Sequence, residues 1–199
     1  TIEQIKTLAR RHHKTIGIGW VKKTEPLCEN HYSIVTPDGG VAMDYAKIHP
    51  FSYGEEHAHF RGGEKPCTGK LGEFQVGLAI CYDLRFPEQF RTMVPEAEIF
   101  IVPANWPEAR TSHWKTLLAA RAIENQCYVV APAQIGKKPA FQAYGRSMII
   151  NPWGVTVACA EDRETIIYAE IDPDYVNQIR EQLPSLKNRQ PGAYVWPAE

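Results

Sequence analysis

Ile2, Ile5, Leu8 and Ala9 recur at helical spacing with Glu3, Lys6 and Arg10 on the opposite face, so the chain opens in an amphipathic helix. Residues 15–23 read as a strand. Residues 31–47 read as a pair of strands around Pro37-Asp38-Gly39-Gly40, a strong turn signal, with Lys47 where the second strand ends. From 51 to 70 no periodicity is sustained, and Gly54, Gly62, Gly63, Pro66 and Gly69 break the backbone repeatedly. A long loop is expected there, and loops of that length tend to be functional. The pattern then becomes regular: a strand over 74–81, a short helix from Pro87, a strand over 98–103, a helix over 112–126 and a strand over 128–133. Two strands flank the Asn151-Pro152-Trp153-Gly154 turn, a further strand is expected over 165–171, and a helix runs from Pro173 to just before Pro184. The tail from 185 to 199 reads as extended. Alternating strands and helices predict one layered α/β domain over residues 1–199, without repeat or linker.

Composition narrows the function classes. Lys plus Arg number 22 against 23 for Asp plus Glu, so no charge excess draws the protein to nucleic acid or an anionic membrane. Apolar runs such as 76–81 and 98–104 are strand-sized, far below the roughly 20 residues that span a bilayer. The first residues lack the apolar block of a signal peptide, which makes the expected setting cytoplasmic. Five cysteines without a CxxC pair read as free thiols rather than a disulfide framework or zinc site. His57 and His59 flank Ala58 but have no clear third ligand, so neither metal nor cofactor is expected. The expected partner is a small molecule.

Candidate chemistry centres on Cys81. The apolar run Leu78-Ala79-Ile80 leads into it, and Tyr82-Asp83-Leu84-Arg85-Phe86-Pro87-Glu88 turns the chain into a helix opened by Pro and an acid. Backbone N–H groups at such a turn lack intrahelical partners and can stabilise a thiolate or an oxyanion. Taken alone, a cysteine ending an apolar strand reads first as a small buried hydrophobe.

The segment from Cys81 to Glu88 resembles the nucleophile motif of the nitrilase-like carbon–nitrogen hydrolases. Tyr45-Ala46-Lys47-Ile48-His49 is similar to that family's catalytic-lysine segment, and Glu55-Glu56-His57 through Phe60-Arg61-Gly62-Gly63 to the acidic loop that follows it. Pro103-Ala104-Asn105-Trp106, Ala120-Arg121-Ala122-Ile123-Glu124-Asn125, Gly145-Arg146-Ser147 and Asn151-Pro152-Trp153-Gly154 resemble its later signatures, so the likeness runs along nearly the whole chain. It implies a four-layer α-β-β-α sandwich and an amidase that works through a cysteine thioester.

On that resemblance Cys81 is the nucleophile, Lys47 and the backbone N–H of Tyr82 form the oxyanion hole, and Glu56 is an auxiliary acid, with Glu55 as its rival. The family's general-base glutamate ends a first strand that, with its helix, would precede the opening helix and is absent from this sequence. Three substrate-side candidates remain. Arg85 could bind a carboxylate, or pair with Asp83 or Glu88 to hold the turn. Asn105 and Trp106 end a strand parallel to that of Cys81 and could line the pocket mouth, with Trp106 equally a core cap. The implied reaction is hydrolysis of a small linear carboxamide with release of ammonia. An ω-amide of a dicarboxylic acid is one form of that substrate. N-carbamoyl amino acid hydrolysis is the alternative within enzymes, and a non-catalytic truncated homologue acting as a binding subunit the alternative outside them. A homo-oligomer, dimer or higher, is expected, with the basic Lys187-Asn188-Arg189 cluster docking at its interface.

Overall fold

The computed structural model describes residues 1–138 and 141–194. Helix α1 (Ile2–His12) leads into an antiparallel sheet of β1 (Ile16–Lys22), β2 (Glu29–Val35) and β3 (Val41–Ala46), in the order β1-β2-β3. The turn between β2 and β3 is tight against α1. Gly39 has φ +80°, and a Cβ there would fall 2.4 Å from the Arg10 side chain, whose Nε donates to the Asp38 carbonyl. Glycine therefore answers both the backbone conformation and the close approach.

A second sheet holds six strands: β4 (Cys67–Leu71), β5 (Phe74–Leu78), β6 (Ile99–Ile101), β7 (Tyr128–Ala131), β10 (Met148–Ile150) and β11 (Thr156–Cys159), with β8 (Ile135–Lys137) and β9 (Gln142–Tyr144) forming a separate hairpin. Its order is β11-β10-β7-β6-β5-β4, parallel across β5, β6 and β7 and antiparallel at the outer pairs. Helices α2 (Pro87–Thr92) and α3 (Thr111–Asn125) complete the parallel crossovers, and α4 (Pro173–Gln182) follows β11.

Strand periodicity divides the apolar residues between two cores. Val76, Leu78, Ile80, Ile99 and Tyr128 face the small sheet and meet Tyr32, Ile34, Met43 and Tyr45. Ala79, Phe100, Val102, Val129 and Ala131 face the other way, onto Trp114, Leu118 and Ala122 of α3 and Phe90 of α2. With α1 packed on β1 and β2, the layers run α-β-β-α. Helix α4 closes the sandwich below the parallel strands, where Arg180 donates to the carbonyls of Pro95 and Ala97 and Gln126 to that of Leu183. The opposite end, where β5, β6 and β7 finish, stays open. Cys81 packs against both cores.

Four local expectations need correction. Part of the expected loop is strand β4, which pairs with β5 from Cys67↔Leu78 to Leu71↔Phe74. The hairpin of β8 and β9 was not foreseen, since three residues per strand are too few for a period to register. Residues 165–171 form no strand: they carry an alternating pattern, but no neighbour among the described residues supplies a ladder, and Ile166 and Tyr168 are 75% and 81% exposed. In the tail, residues 185–188 form turns and Pro191–Ala193 a 3₁₀ turn, while 195–199 lie outside the described residues.

Candidate active site

The parallel ladder continues past β5 as far as Cys81, because Ala79 N donates to Ile101 O and Cys81 N to Pro103 O at 2.9 Å. There the chain turns sharply. Cys81 has φ +50°, in the left-handed region that costs an L-residue roughly 1–2 kcal/mol. Such strain persists where the surroundings over-determine it, commonly at functional sites. The expected helix start is in fact a 3₁₀ turn over Cys81–Arg85, and α2 begins only at Pro87. The Tyr82 N–H at that turn has no partner among the described residues.

Lys47 follows β3 and is 4% exposed. Its backbone is held on both sides, N–H to Asn30 O and carbonyl from Gly63 N–H, each 2.8 Å. Its ammonium lies 2.5 Å from Glu56 Oε2, which also accepts from Phe51 N–H at 2.7 Å, while Glu56 Oε1 accepts from Asn30 Nδ2 at 3.0 Å. Glu55 occupies a left-handed turn position and is exposed, so of the two rivals Glu56 is the one that meets Lys47. His57 and His59 are exposed. Lys47, Glu56, Cys81 and Asn105 line one open cleft of about 730 Å3, floored by Tyr32, Ile80 and Pro132. Among the described residues lining it, Glu56 is the one acid.

A second network, missed from the sequence, lies beneath. Asp83 is fully buried. Its Oδ2 accepts from Tyr45 OH at 2.7 Å and Ile80 N–H at 2.9 Å, and its Oδ1 from His49 N–H at 3.1 Å and His49 Nδ1 at 2.8 Å. Tyr45 OH in turn accepts from Ile48 N–H and Gln89 Nε2. The His49 ring stacks on Phe86 at 3.7 Å, Phe86 meets Tyr82 edge-on, and Tyr82 leans on Phe51. Arg85 therefore pairs with neither Asp83 nor Glu88, as one reading of the sequence had it. It lies over the Trp106 ring at 5.2 Å and donates to His113 Nδ1 at 3.2 Å. Asp83 already has four donors, which leaves no lone pair for a guanidinium to claim.

Trp106 is 5% exposed, joins the helix-side core beside Trp114 and donates to the Arg110 carbonyl, so it is mainly a core residue that also lines the pocket. Asn105 is exposed, and its carbonyl lies 3.8 Å from Cys81 Sγ. These residues wall a smaller apolar pocket of about 70 Å3 with Phe51, Arg85 and Arg110. Arg110, which no sequence signal singled out, lies over Phe51 and Tyr53 at 5.5 and 5.6 Å. Neither Arg85 nor Arg110 meets a carboxylate among the described residues.

The local charges act in opposition. Burial pushes the Cys81 thiol above its ordinary value; the charge of Lys47 pulls it down, and the anions Glu56 and Asp83 push it up again. The free thiol is thus held protonated, not lowered as a turn N-terminus and a lysine alone would suggest. Burial also opposes ionisation of Glu56, but Lys47, Phe51 N–H and Asn30 outweigh it and hold the carboxyl below its usual range.

A cysteine on a strained turn, beside a lysine–glutamate pair and at the open end of an α-β-β-α sandwich, defines a class of hydrolytic site. The family described as carbon-nitrogen hydrolase matches residues 1–181, and the chain belongs to that family of amide-hydrolysing enzymes. It is 37% identical to the deaminated glutathione amidase of Synechocystis over 201 residues, which covers 93% of this chain and 74% of that protein. It is 36% identical to the 2-oxoglutaramate amidase of Bacillus subtilis, covering 90% of this chain and 70% of that one. Among solved structures, a CN-hydrolase superfamily protein of Xanthomonas campestris with an arsenic adduct in its active site superposes with TM-score 0.89 at 29% identity, over 98% of this chain and 76% of that chain.

Proposed function

We propose that the protein hydrolyses the C–N bond of a small linear carboxamide through a thioester on Cys81. The observation that carries this reading is the strained Cys81 turn opening into the same cleft as the buried Lys47–Glu56 pair. Sulfur attacks the carbonyl carbon, the C–N bond breaks, and the thiol proton leaves with nitrogen as ammonia. Water then cleaves the S–C bond, giving its hydroxyl to the acid and a proton back to sulfur. Charge develops on the carbonyl oxygen in both steps. The Lys47 ammonium and the Tyr82 N–H are the donors assigned to it, and Glu56 fixes the aim of Lys47.

The pocket beside Cys81 favours an amide whose far end carries a carboxylate, such as an ω-amide of a dicarboxylic acid. Arg85 and Arg110 flank it without a carboxylate partner among the described residues, and aromatic faces hold both guanidiniums in place. Asn105 and Trp106 complete its wall. The same reading includes a homo-oligomer. Exposed Ile123, Trp153, Val155 and Val157 offer an apolar face for a second copy, which sedimentation velocity would detect.

The test is ammonia release from a panel of ω-amides, neutral amides and N-carbamoyl amino acids, with Cys81→Ala as control. Turnover of an amide that disappears in Cys81→Ala supports the reading. Carbon dioxide released with the ammonia would favour N-carbamoyl hydrolysis. Absence of turnover with every substrate would return the chain to the non-catalytic, binding-subunit reading.

A further inference from the structure

Asp83 contacts neither the cleft nor its solvent, yet it touches both segments that bear the proposed chemistry. Lys47 lies between Tyr45 and His49, and both donate to the Asp83 carboxylate. Cys81 lies between Ile80 and Asp83, and the Ile80 N–H donates to that carboxylate too. A single buried group thus grips the chain on both sides of Lys47 and on both sides of Cys81. A third connection closes the ring, because His49 stacks on Phe86, Phe86 meets Tyr82 edge-on and Tyr82 leans on Phe51, whose N–H holds Glu56.

We propose that Asp83, through Tyr45 and His49, is a positioning residue that fixes the Lys47 segment in register with the Cys81 turn. The inference rests on the reading of Cys81 as nucleophile and Lys47 as its charge partner. Stability alone does not account for an acid at this point, since burying a carboxylate carries a desolvation penalty that a well-packed apolar side chain avoids. A carboxylate offers what leucine cannot: four directional contacts that tie two strands from different sheets to one point. The turn at Cys81 is strained and the Lys47 side chain is long, so their separation needs such a tie. Misplacement of reacting groups by about 1 Å can cost a hundredfold in rate.

Two variants loosen the tie without touching the charge of Asp83. Tyr45→Phe removes the hydroxyl that bridges Asp83, Ile48 and Gln89 and leaves the ring in the core. His49→Ala removes the side-chain donor, and His49→Asn restores an N–H near the place of Nδ1. Lys47, Glu56 and Asp83 act on the thiol through their charge, Arg85 and Arg110 flank the pocket beside it, and all five remain in each variant.

The expected result is a fall in kcat of about tenfold to a hundredfold in Tyr45→Phe and His49→Ala with little change in KM. With Lys47 less well placed, the pH at which Cys81 becomes alkylated should rise by about one unit. His49→Asn should restore both readouts toward the parent. Alkylation needs no turnover, so it reads the geometry even where catalysis is slow. Unchanged kcat and an unchanged alkylation profile in folded Tyr45→Phe and His49→Ala would overturn the inference and make Asp83 a packing residue. If Tyr45→Phe does not fold, the comparison of His49→Ala with His49→Asn decides alone. Failure of the underlying reading looks different: Cys81→Ala would then retain the parent turnover.

Discussion

Lys47 and Glu56 form a nearly enclosed ion pair, the lysine side chain 4% and the glutamate side chain 17% exposed, with their charged atoms 2.5 Å apart. Enclosure changes what the pair is worth. Removing one member leaves a largely desolvated charge without its counter-ion, a loss of up to about 3–5 kcal/mol for a buried pair. Glu56→Gln should therefore lower the unfolding free energy by an amount near the lower end of that range, because Gln can still accept from Phe51 N–H and the ammonium. It should lower kcat as well, read in the same preparation. A variant with parent stability and parent kcat would mean that the pair is not needed at either level.

The thiols should separate by pH. Cys127 is fully buried, and burial pushes its pKa up to about 12, so native protein should leave it unalkylated below about pH 11. Cys81 is also raised, so its alkylation rate should keep climbing through the ordinary thiol range instead of levelling near neutrality. Lys47→Gln removes the one charge that pulls it down and should move that climb higher. It should also cut turnover by about a hundredfold or more, the scale for losing an oxyanion donor. Alkylation rates by peptide mapping across pH check the thiols and ammonia release checks the turnover; a Cys81 rate that plateaus at pH 7 in the parent would contradict the raised Cys81 thiol.

Arg110→Gln should raise KM for a carboxylate-bearing amide by about tenfold or more, the scale of one lost charge-assisted contact, and leave a neutral amide of the same length within about twofold. Steady-state kinetics on the matched pair gives the answer. Equal losses on both substrates would assign Arg110 to the shape of the loop, not to recognition.

Acid stability has an identifiable contributor at the rim of the small sheet. Glu29 is bonded to His31 at 3.0 Å and paired with Lys22 and Arg61, and its pKa falls to about 2, with the His31 bond as the largest cause. A folded-state pKa below the unfolded one means stabilisation that is complete above the ordinary carboxylate range and is lost as pH falls through about 2. Thermal melts of Glu29→Gln should thus be less steeply dependent on pH below about 4.5 than those of the parent. Parallel pH profiles would remove Glu29 from that role.

Local signals carried far in this sequence, and long-range ones did not. The ends of α3 and α4 and the turns at Gly39 and Gly154 were legible because each is set by residues a few positions apart. Cys81, Lys47 and Glu56 stood out as candidates through the resemblance of their segments to the family's motifs, since position alone reads a strand-end lysine as surface and a strand-end cysteine as core. The sequence could not place Asp83. That side chain meets Tyr45 across 38 residues and His49 across 34, and an acid one turn from an arginine reads as its ion partner when only spacing is visible. Arg110 was hidden for the same reason, since its relation to Phe51 exists only once the loop after β3 meets the turn before α3. Residues 165–171 show the converse: the alternation is present, but a strand is a relation between two backbones and the pattern of one cannot supply the other.

Cys81 lies on the seam of two interiors, in contact with the core between the sheets and with the core under α2 and α3. A side chain at the centre of one core would feel substitutions in that core alone. This sulfur receives displacements from both, and closely packed interiors transmit small changes of volume instead of absorbing them. With Cys81 as the proposed nucleophile, drift in either half of the molecule, far from the cleft and harmless to the fold, would reach the reacting sulfur, which couples the two halves under selection for the reaction.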